Sequence, residues 1–262
     1  METVSLAALA GVDLFGMLAT VLWYALRIGA ALQVLPVIGG RGIPVRARLI
    51  VTIALSAALS SVLPAPPPMG VDAATALAVL REFSVGVAIG MMLRLAFEAG
   101  RLAGELVSQG MGLSFATMAD PLNGAPSPVL SQWFYIAFAL LFFVTDGHLA
   151  LVSLLADSYG GLPVGASLPD LPALLSAVPM FFAACLRAGA LLALPVMMAL
   201  LAVNIAFGVL ARAASQLNPI QIGLPTSLLV GLTLLMLLMR ELSAPVGRLF
   251  EDAFAAARAL TG

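Results

Sequence analysis

Apolar residues fill this chain in long runs, and polar residues gather in a few short breaks between them. The first run covers about Leu14–Leu35 and ends at Pro36. The second, Leu49–Leu63, closes at Pro64 and the cluster Pro66–Pro68. A third runs from Ala73 to Phe97, with Arg81 and Glu82 near its start. Val129–Thr145 is the fourth; Asp146, Gly147 and His148 interrupt it before Leu149–Leu155 resumes. A loop rich in Gly and Pro, Asp157 to Leu171, precedes the 39-residue stretch Pro172–Leu210, which contains Pro179, Arg187 and Pro195. The last run is Leu224–Met239, followed by an amphipathic, Arg-containing tail, Arg240–Leu260. A helix crosses a bilayer with about 20 apolar residues. The runs therefore predict an all-α, membrane-type protein. The second run is short for a full span and the 39-residue stretch is too long for one, so hairpins and kinked or re-entrant helices are expected.

One stretch departs from this pattern. Arg94, Glu98, Arg101 and Glu105 alternate in sign at spacings of four, three and four. At about 100° per residue they share a stripe roughly 60° wide on a helix. Each can pair with the next along that stripe, and Gln109 continues it. The face opposite the charges is small, with Gly100 and Ala103 near it and Gly104 three residues after Arg101, and small residues let helices approach closely. Charges are costly in lipid unless paired, so a stripe facing other subunits or a wet lumen is one reading; a solvated surface helix is the other. Beyond it lies Gln109–Asn123, QGMGLSFATMADPLN. Gly110 and Gly112 work against a stiff helix there. Met111, Phe115 and Met118 are apolar, and an apolar loop can close a narrow pore by constriction. The alternative is an ordinary connecting loop packed on its own protein. Ser127-Pro128 reads as the N-cap and first residue of the next helix.

Composition agrees with a membrane protein. The chain is 62% hydrophobic and 10% charged, with mean hydropathy +1.10, where soluble domains carry about 25% charge. No basic patch interleaved with aromatics points to nucleic acid. Glu2 and Asp13 stand where a cleavable signal peptide would carry a basic n-region, so the first run is expected to remain in the mature protein. The positive-inside rule puts Arg27, Arg41, Arg46 and Arg48 on the cytoplasmic side and the proline loop Pro64–Val71 outside. Arg94 and Arg101 pull inward, Asp146, Asp157 and Asp170 go out, and Arg212 comes in. Alternation would then place the tail outside, against Arg240, Arg248 and Arg258. Regular crossings do not satisfy these charges. Irregular backbone at membrane depth must be buried in protein or line a cavity, so the subunit is expected to need partners.

Catalytic chemistry has little support. No HExxH, phosphate-cradling loop or Ser/His constellation is present, so no enzyme activity, metal or cofactor is expected. His148 with Asp146 reads as an interfacial histidine at a helix break rather than a proton site. Cys185, the one cysteine, reads as a core thiol. Arg187 either meets a partner carboxylate or snorkels beside a kink. Asn204 reads as polar packing within a bundle. A multi-pass secondary transporter would need internal repeats and paired broken helices, and no convincing repeat is found.

Several motifs, in order, resemble the FliR/SctT family, the R or T subunits of the flagellar and injectisome type III export gate. They are Arg27-Ile28-Gly29 with Pro36, then Ile43-Pro44-x-Arg46-x-Arg48. The glycine-rich segment with Ala119-Asp120-Pro121 and Ser127-Pro128-Val129-Leu130-Ser131-Gln132 follows, then Asp146-Gly147-His148, Asn204-x-x-x-Gly208, and Pro219-Ile220-Gln221-x-Gly223 with Pro225. The resemblance covers nearly the whole chain and implies a non-enzymatic inner-membrane subunit, of the flagellar branch. Such a subunit is similar to a fusion of the P and Q types, with a P-like part over about residues 1–155 and a Q-like part over about 156–262. It would assemble with several P-type and Q-type subunits (FliP and FliQ like) into a helical cone, near an FlhB-type switch protein and an FlhA-type export component, and pass unfolded protein substrates. The resemblance also implies that the channel plug lies at about Gln109–Asn123, with Gln109, Gly110, Met111, Gly112, Phe115 and Met118. Arg94, Glu98, Arg101 and Glu105 would then form inter-subunit ion pairs on the helix leading to it.

Overall fold

The computed structural model describes residues 14–40, 42–66, 70, 72–113, 129–165, 171–213 and 219–261. Among the described residues every regular element is helical: α1 (Leu14–Val34), α2 (Pro36–Gly39), α3 (Val45–Ser60), α4 (Ala73–Gly110), α5 (Val129–Val144), α6 (Gly147–Gly161), α7 (Leu171–Ala213), α8 (Pro219–Glu241) and α9 (Ser243–Ala259). Four stretches are long and apolar enough to cross a membrane: Phe15–Val34, Ala73–Gly110, Ser176–Leu210 and Ile222–Glu241. The α5–α6 pair, bent by 69° at its break, makes a fifth if counted as one span.

The breaks have local causes. Pro36 occupies the first turn of α2, and Pro44 precedes α3, positions where a missing N–H costs nothing. Asp72 caps α4: its Oδ1 accepts from the Thr75 N–H at 2.8 Å and from the Thr75 hydroxyl at 2.8 Å, a side-chain N-cap. Between α5 and α6, Asp146 adopts φ 57°, a left-handed conformation that Asp tolerates better than most residues. Its carbonyl then accepts from the Leu149 and Ala150 N–H groups to start α6. Pro179 and Pro195 lie within α7 without ending it. The 39-residue run expected to exceed one span is thus part of a single helix of 43 residues, about 64 Å long at 1.5 Å per residue.

The chain divides into two compact units, each discontinuous in sequence: residues 1–92, 151–176 and 257–262 form the first, residues 93–150 and 177–256 the second. In the first, α1 packs on α3 and on the opening half of α4. Close approach to α4 depends on Gly86 and Gly90, one turn apart. A β-carbon at Gly86 would run into the Arg27 carbonyl, and one at Gly90 would lie 2.6 Å from the Ala31 carbonyl oxygen. This is small-xxx-small packing, in which backbones touch because no side chain intervenes. In the second unit the core is aromatic. Phe97 of α4, Phe142 of α5 and Phe250 of α9 have ring centroids 5.1–5.7 Å apart, and Phe138 and Phe254 extend the cluster. Tilted pairs of this kind add about 0.5–1.5 kcal/mol each beyond area burial. The expected amphipathic tail is α9. It buries Val246, Leu249, Phe250, Ala253 and Phe254 and exposes Arg248, Glu251 and Asp252, the apolar stripe of a 3.6-residue period.

Candidate functional site

The charged stripe and the glycine segment after it both belong to the second unit. The third apolar run was expected to end near Phe97; α4 continues through the charges to Gly110. Leu95, Ala96, Ala99, Leu102, Ala103 and Leu106 are good helix formers, and the charges occupy one face only. On that face Glu98 lies between two arginines, with Arg94 Nε at 3.7 Å and Arg101 Nη1 at 3.8 Å. Those separations are beyond hydrogen-bonding range, and the side chains are 49%, 37% and 42% exposed in chain order. Arg101 and Glu105 are not bridged. Arg101 instead lies over the Tyr135 ring at 4.5 Å. Glu105 accepts from Gln109 Nε2 at 3.1 Å and from the Ser131 hydroxyl at 3.3 Å.

Glycines beside the stripe bring α5 and α7 onto α4. A β-carbon at Gly100 would lie 2.8–2.9 Å from the Phe138 ring, and one at Gly104 would lie 2.5 Å from the Leu130 carbonyl oxygen. On α7, Gly189 sits equally close to the Ala99 carbonyl. Backbone contacts on both sides fix the orientation of the stripe, although its own ion pairs are loose.

Of the glycine pair, only Gly112 breaks the helix. Gly110 is still helical. Gly112 has φ 76°, its N–H donates to the Gln109 carbonyl at 3.0 Å, and the Leu113 N–H donates to the Ser108 carbonyl at 3.1 Å. This is the Schellman closure, with glycine in the left-handed position after the last helical residues. Met111 is buried at 1% exposure. It lies against Gly231 of α8, where a β-carbon would meet the methionine Cγ, Cε and Sδ at 2.6–2.7 Å. Gly110 rests on Leu200 of α7. A cavity of about 550 Å³ adjoins this corner, lined by Gln109, Gly112, Asn204, Phe207, Leu224 and Ser227 among others. The Ser227 hydroxyl donates to Asn204 Oδ1 at 3.1 Å, the polar contact expected of Asn204. Of the proposed channel-plug residues, Gln109 to Gly112 are described; Phe115 and Met118, with the rest of residues 114–123, lie outside the described residues, as do Ser127 and Pro128.

The strongest charged interaction was not anticipated. Arg27, expected to act as a cytoplasmic topology charge, is buried in the first unit. It forms a two-point ion pair with Glu82, Nε to Oε2 at 2.9 Å and Nη2 to Oε1 at 3.0 Å, with exposures of 1% and 0%. Its remaining N–H groups donate to the Ser158 carbonyl at 2.8 Å, the Ser158 hydroxyl at 3.1 Å and the Leu162 carbonyl at 2.7 Å. The guanidinium lies over the Tyr159 ring at 4.1 Å. Tyr159 donates to the Tyr24 carbonyl at 3.0 Å, and Tyr24 to the Pro64 carbonyl. A fully engaged arginine carries no topological weight, which removes one of the four charges assigned to the first cytoplasmic loop. The available signal was an Arg and a Glu of opposite sign, each inside a separate apolar run.

Other candidates resolve individually. His148 was expected to be satisfied; its Nδ1 is buried and has no hydrogen-bond partner among the described residues, and its ring lies against Phe143. Arg187 is exposed on α7. Cys185 is buried and unbonded to sulfur. Among the described residues no group of three potential metal ligands is found.

Comparison with known proteins bears on the same stretches. The family model described as "Bacterial export proteins, family 1" matches residues 18–253, which include the Arg27 network, the stripe and the Met111 corner. The chain is 36% identical to the flagellar biosynthetic protein FliR of Escherichia coli K12 over 88% of each chain. It is 34% identical to that of Pectobacterium carotovorum over 92% of each. To the Bacillus subtilis protein of the same name it is 27% identical, over 86% of this chain and 88% of the other. With a match that runs through almost the whole chain, and with the helical, multi-span architecture to go with it, this protein belongs to the bacterial export protein family 1, the FliR family.

Proposed function

We propose that this protein is a flagellar type III export component that acts as an inner-membrane gate subunit, forming and closing the channel for unfolded export substrates. One observation carries the reading: the match to the export family over residues 18–253. The reading of a solute transporter finds no support in the three relatives named above, each of which bears the name of a flagellar biosynthetic protein. The proposal includes a heteromeric cone with P-type and Q-type subunits, the FlhB-type and FlhA-type components nearby, and a P-like part before a Q-like part in this chain. Two features support it. The stripe from Arg94 to Glu105 has charge to offer a neighbour, because its internal pairs are long and half-exposed. The helix that carries the stripe closes at Gly112, so the plug assigned to about Gln109–Asn123 would begin at that helix end. Such a gate needs only two loop arrangements of similar energy, and the chain's role is non-enzymatic, with energy supplied by partners.

The test is deletion of residues 114–123 in the assembled complex. The expected outcome is normal co-purification with the other gate subunits and a raised membrane conductance to ions. A complex that assembles and stays as tight as the wild type contradicts the plug.

A further inference from the structure

We infer that Arg81 on α4 is a docking point for a carboxylate carried on an apolar helix of a neighbouring gate subunit. This rests on the heteromeric reading above and adds to it the place and the charge of one contact.

Among the described residues, the buried side of the first unit carries one positive charge without a counter-charge. Arg81 is 8% exposed, and its Nη2 is buried with no hydrogen-bond partner. It forms no ion pair with a described residue. The carboxylates described in that unit are each engaged elsewhere. Both oxygens of Glu82 meet Arg27, Asp72 accepts from Thr75, and Asp157 accepts from the Ser153 hydroxyl at 3.3 Å. Two buried guanidinium groups, Arg27 and Arg81, thus share the unit's interior with the single carboxylate of Glu82. A buried charge without a counter-charge is heavily penalised. An ionisable group inside an apolar span therefore points to a partner that neutralises it.

Position favours a protein partner over lipid or water. On α4, Ala78, Glu82 and Val85 are buried, whereas Leu77, Leu80 and Ser84 are exposed. At about 100° per residue, Arg81 stands at the seam between these faces, beside Leu77 and Ser84. The apolar span begins at Ala73, so Arg81 lies about 12 Å along it at 1.5 Å per residue. Lipid phosphates stay at the membrane surface, and a long cation inside a span reaches them by extending its head outward. The burial of Arg81 shows the opposite arrangement. A carboxylate on a partner helix can be carried to any depth. The exposed Leu77 and Leu80 offer that helix an apolar surface to lie on, and the arginine fork suits a carboxylate through two parallel N–H···O bonds.

The test is co-purification from cells that express all the gate subunits, with a tag on this chain and yields counted per tagged chain. Arg81→Met keeps an unbranched apolar stem and removes the charge. It is expected to recover the other gate subunits several-fold less well than wild type, while Arg81→Lys retains most of the yield. In the wild-type background, a photo-crosslinking p-benzoylphenylalanine in place of Leu77 is expected to join this chain to a gate subunit. Full recovery with Arg81→Met would overturn the inference and leave the heteromeric reading standing. A lysine variant as poor as the methionine one would show that shape rather than charge is recognised, which also overturns it. A wild-type chain that recovers no gate subunit removes the heteromeric reading and this contact together. If the methionine variant is degraded, the Leu77 crosslink decides: a crosslinked gate subunit supports the docking point, and its absence overturns it.

Discussion

The Arg27–Glu82 pair and the stripe from Arg94 to Glu105 both lie on apolar helices of this protein, and they are built in opposite ways. Arg27 and Glu82 in the first unit meet through two hydrogen bonds of 2.9 and 3.0 Å, and the other guanidinium N–H groups are taken up by Ser158 and Leu162. Nothing is left to offer a second chain. In the second unit the stripe from Arg94 to Glu105 holds its ion pairs at 3.7 and 3.8 Å, with side chains between a third and a half exposed. A buried charge left half-satisfied is heavily penalised, so the first pair is complete. Exposed pairs are worth about 0–1 kcal/mol, so the second set contributes little to its own fold and remains available for contacts elsewhere. The first feature serves the fold of the chain; the second is oriented by the fold and directed outward.

The comparison can be broken most forcefully at Glu82. Glu82→Ala leaves Arg27 buried without a counter-charge, which costs about 3–5 kcal/mol. The protein is expected to disappear from membranes, as read by immunoblot. The paired change Arg27→Met with Glu82→Leu is expected to recover most of that loss, because apolar replacements of similar size often substitute for a buried pair. If Glu82→Ala accumulated normally, the pair would not be the keystone described here.

A smaller effect is expected beside the stripe. Gly104→Leu drives a side chain into the backbone of Leu130 and Ser131. Overpacking of this kind costs about 1–3 kcal/mol, measurable as a lower unfolding temperature of the detergent-solubilised complex. It disturbs the platform that orients the charges without touching a charge. An unchanged unfolding temperature would mean that α5 does not hold the stripe in place.

The smallest effect belongs to an end cap. The Thr75 N–H and hydroxyl hold the Asp72 carboxyl below the usual carboxylate range. A lowered folded-state value means that the cap's contribution is present above the ordinary carboxylate pKa and is lost as pH falls through the lowered one. Asp72→Asn keeps a capping side chain and is expected to remove this small acid sensitivity, seen as a flatter plot of unfolding temperature against pH below neutrality. An equally steep plot would assign the acid sensitivity to other carboxylates.

What the sequence made legible follows the same division. Helices came through because the apolar runs were long and the prolines stood at their ends. The continuation of α4 through the charges was legible in the spacing of Arg94, Glu98, Arg101 and Glu105, whereas its stop was not: Gly110 is still helical and the chain turns at Gly112. Pro179 and Pro195 suggested a divided stretch where α7 is continuous. Arg27 looked like a loop charge because a one-dimensional pattern does not show that Glu82 lies opposite it across a packed helix pair. The same limit hid Gly231, whose significance comes from the methionine it receives. The stripe was readable because its periodicity is local, yet whether its charges pair tightly depends on angstrom-scale distances that spacing does not encode.

The central claim, that the stripe is an assembly surface rather than a stabilising element, is tested most directly by co-purification. With a tag on this chain, the Arg101→Glu variant should accumulate in membranes at the wild-type level but recover the other export-gate subunits several-fold less well, and a reversed acidic partner should restore the yield. Full recovery of those subunits with Arg101→Glu would contradict the account and make the stripe a solvated face.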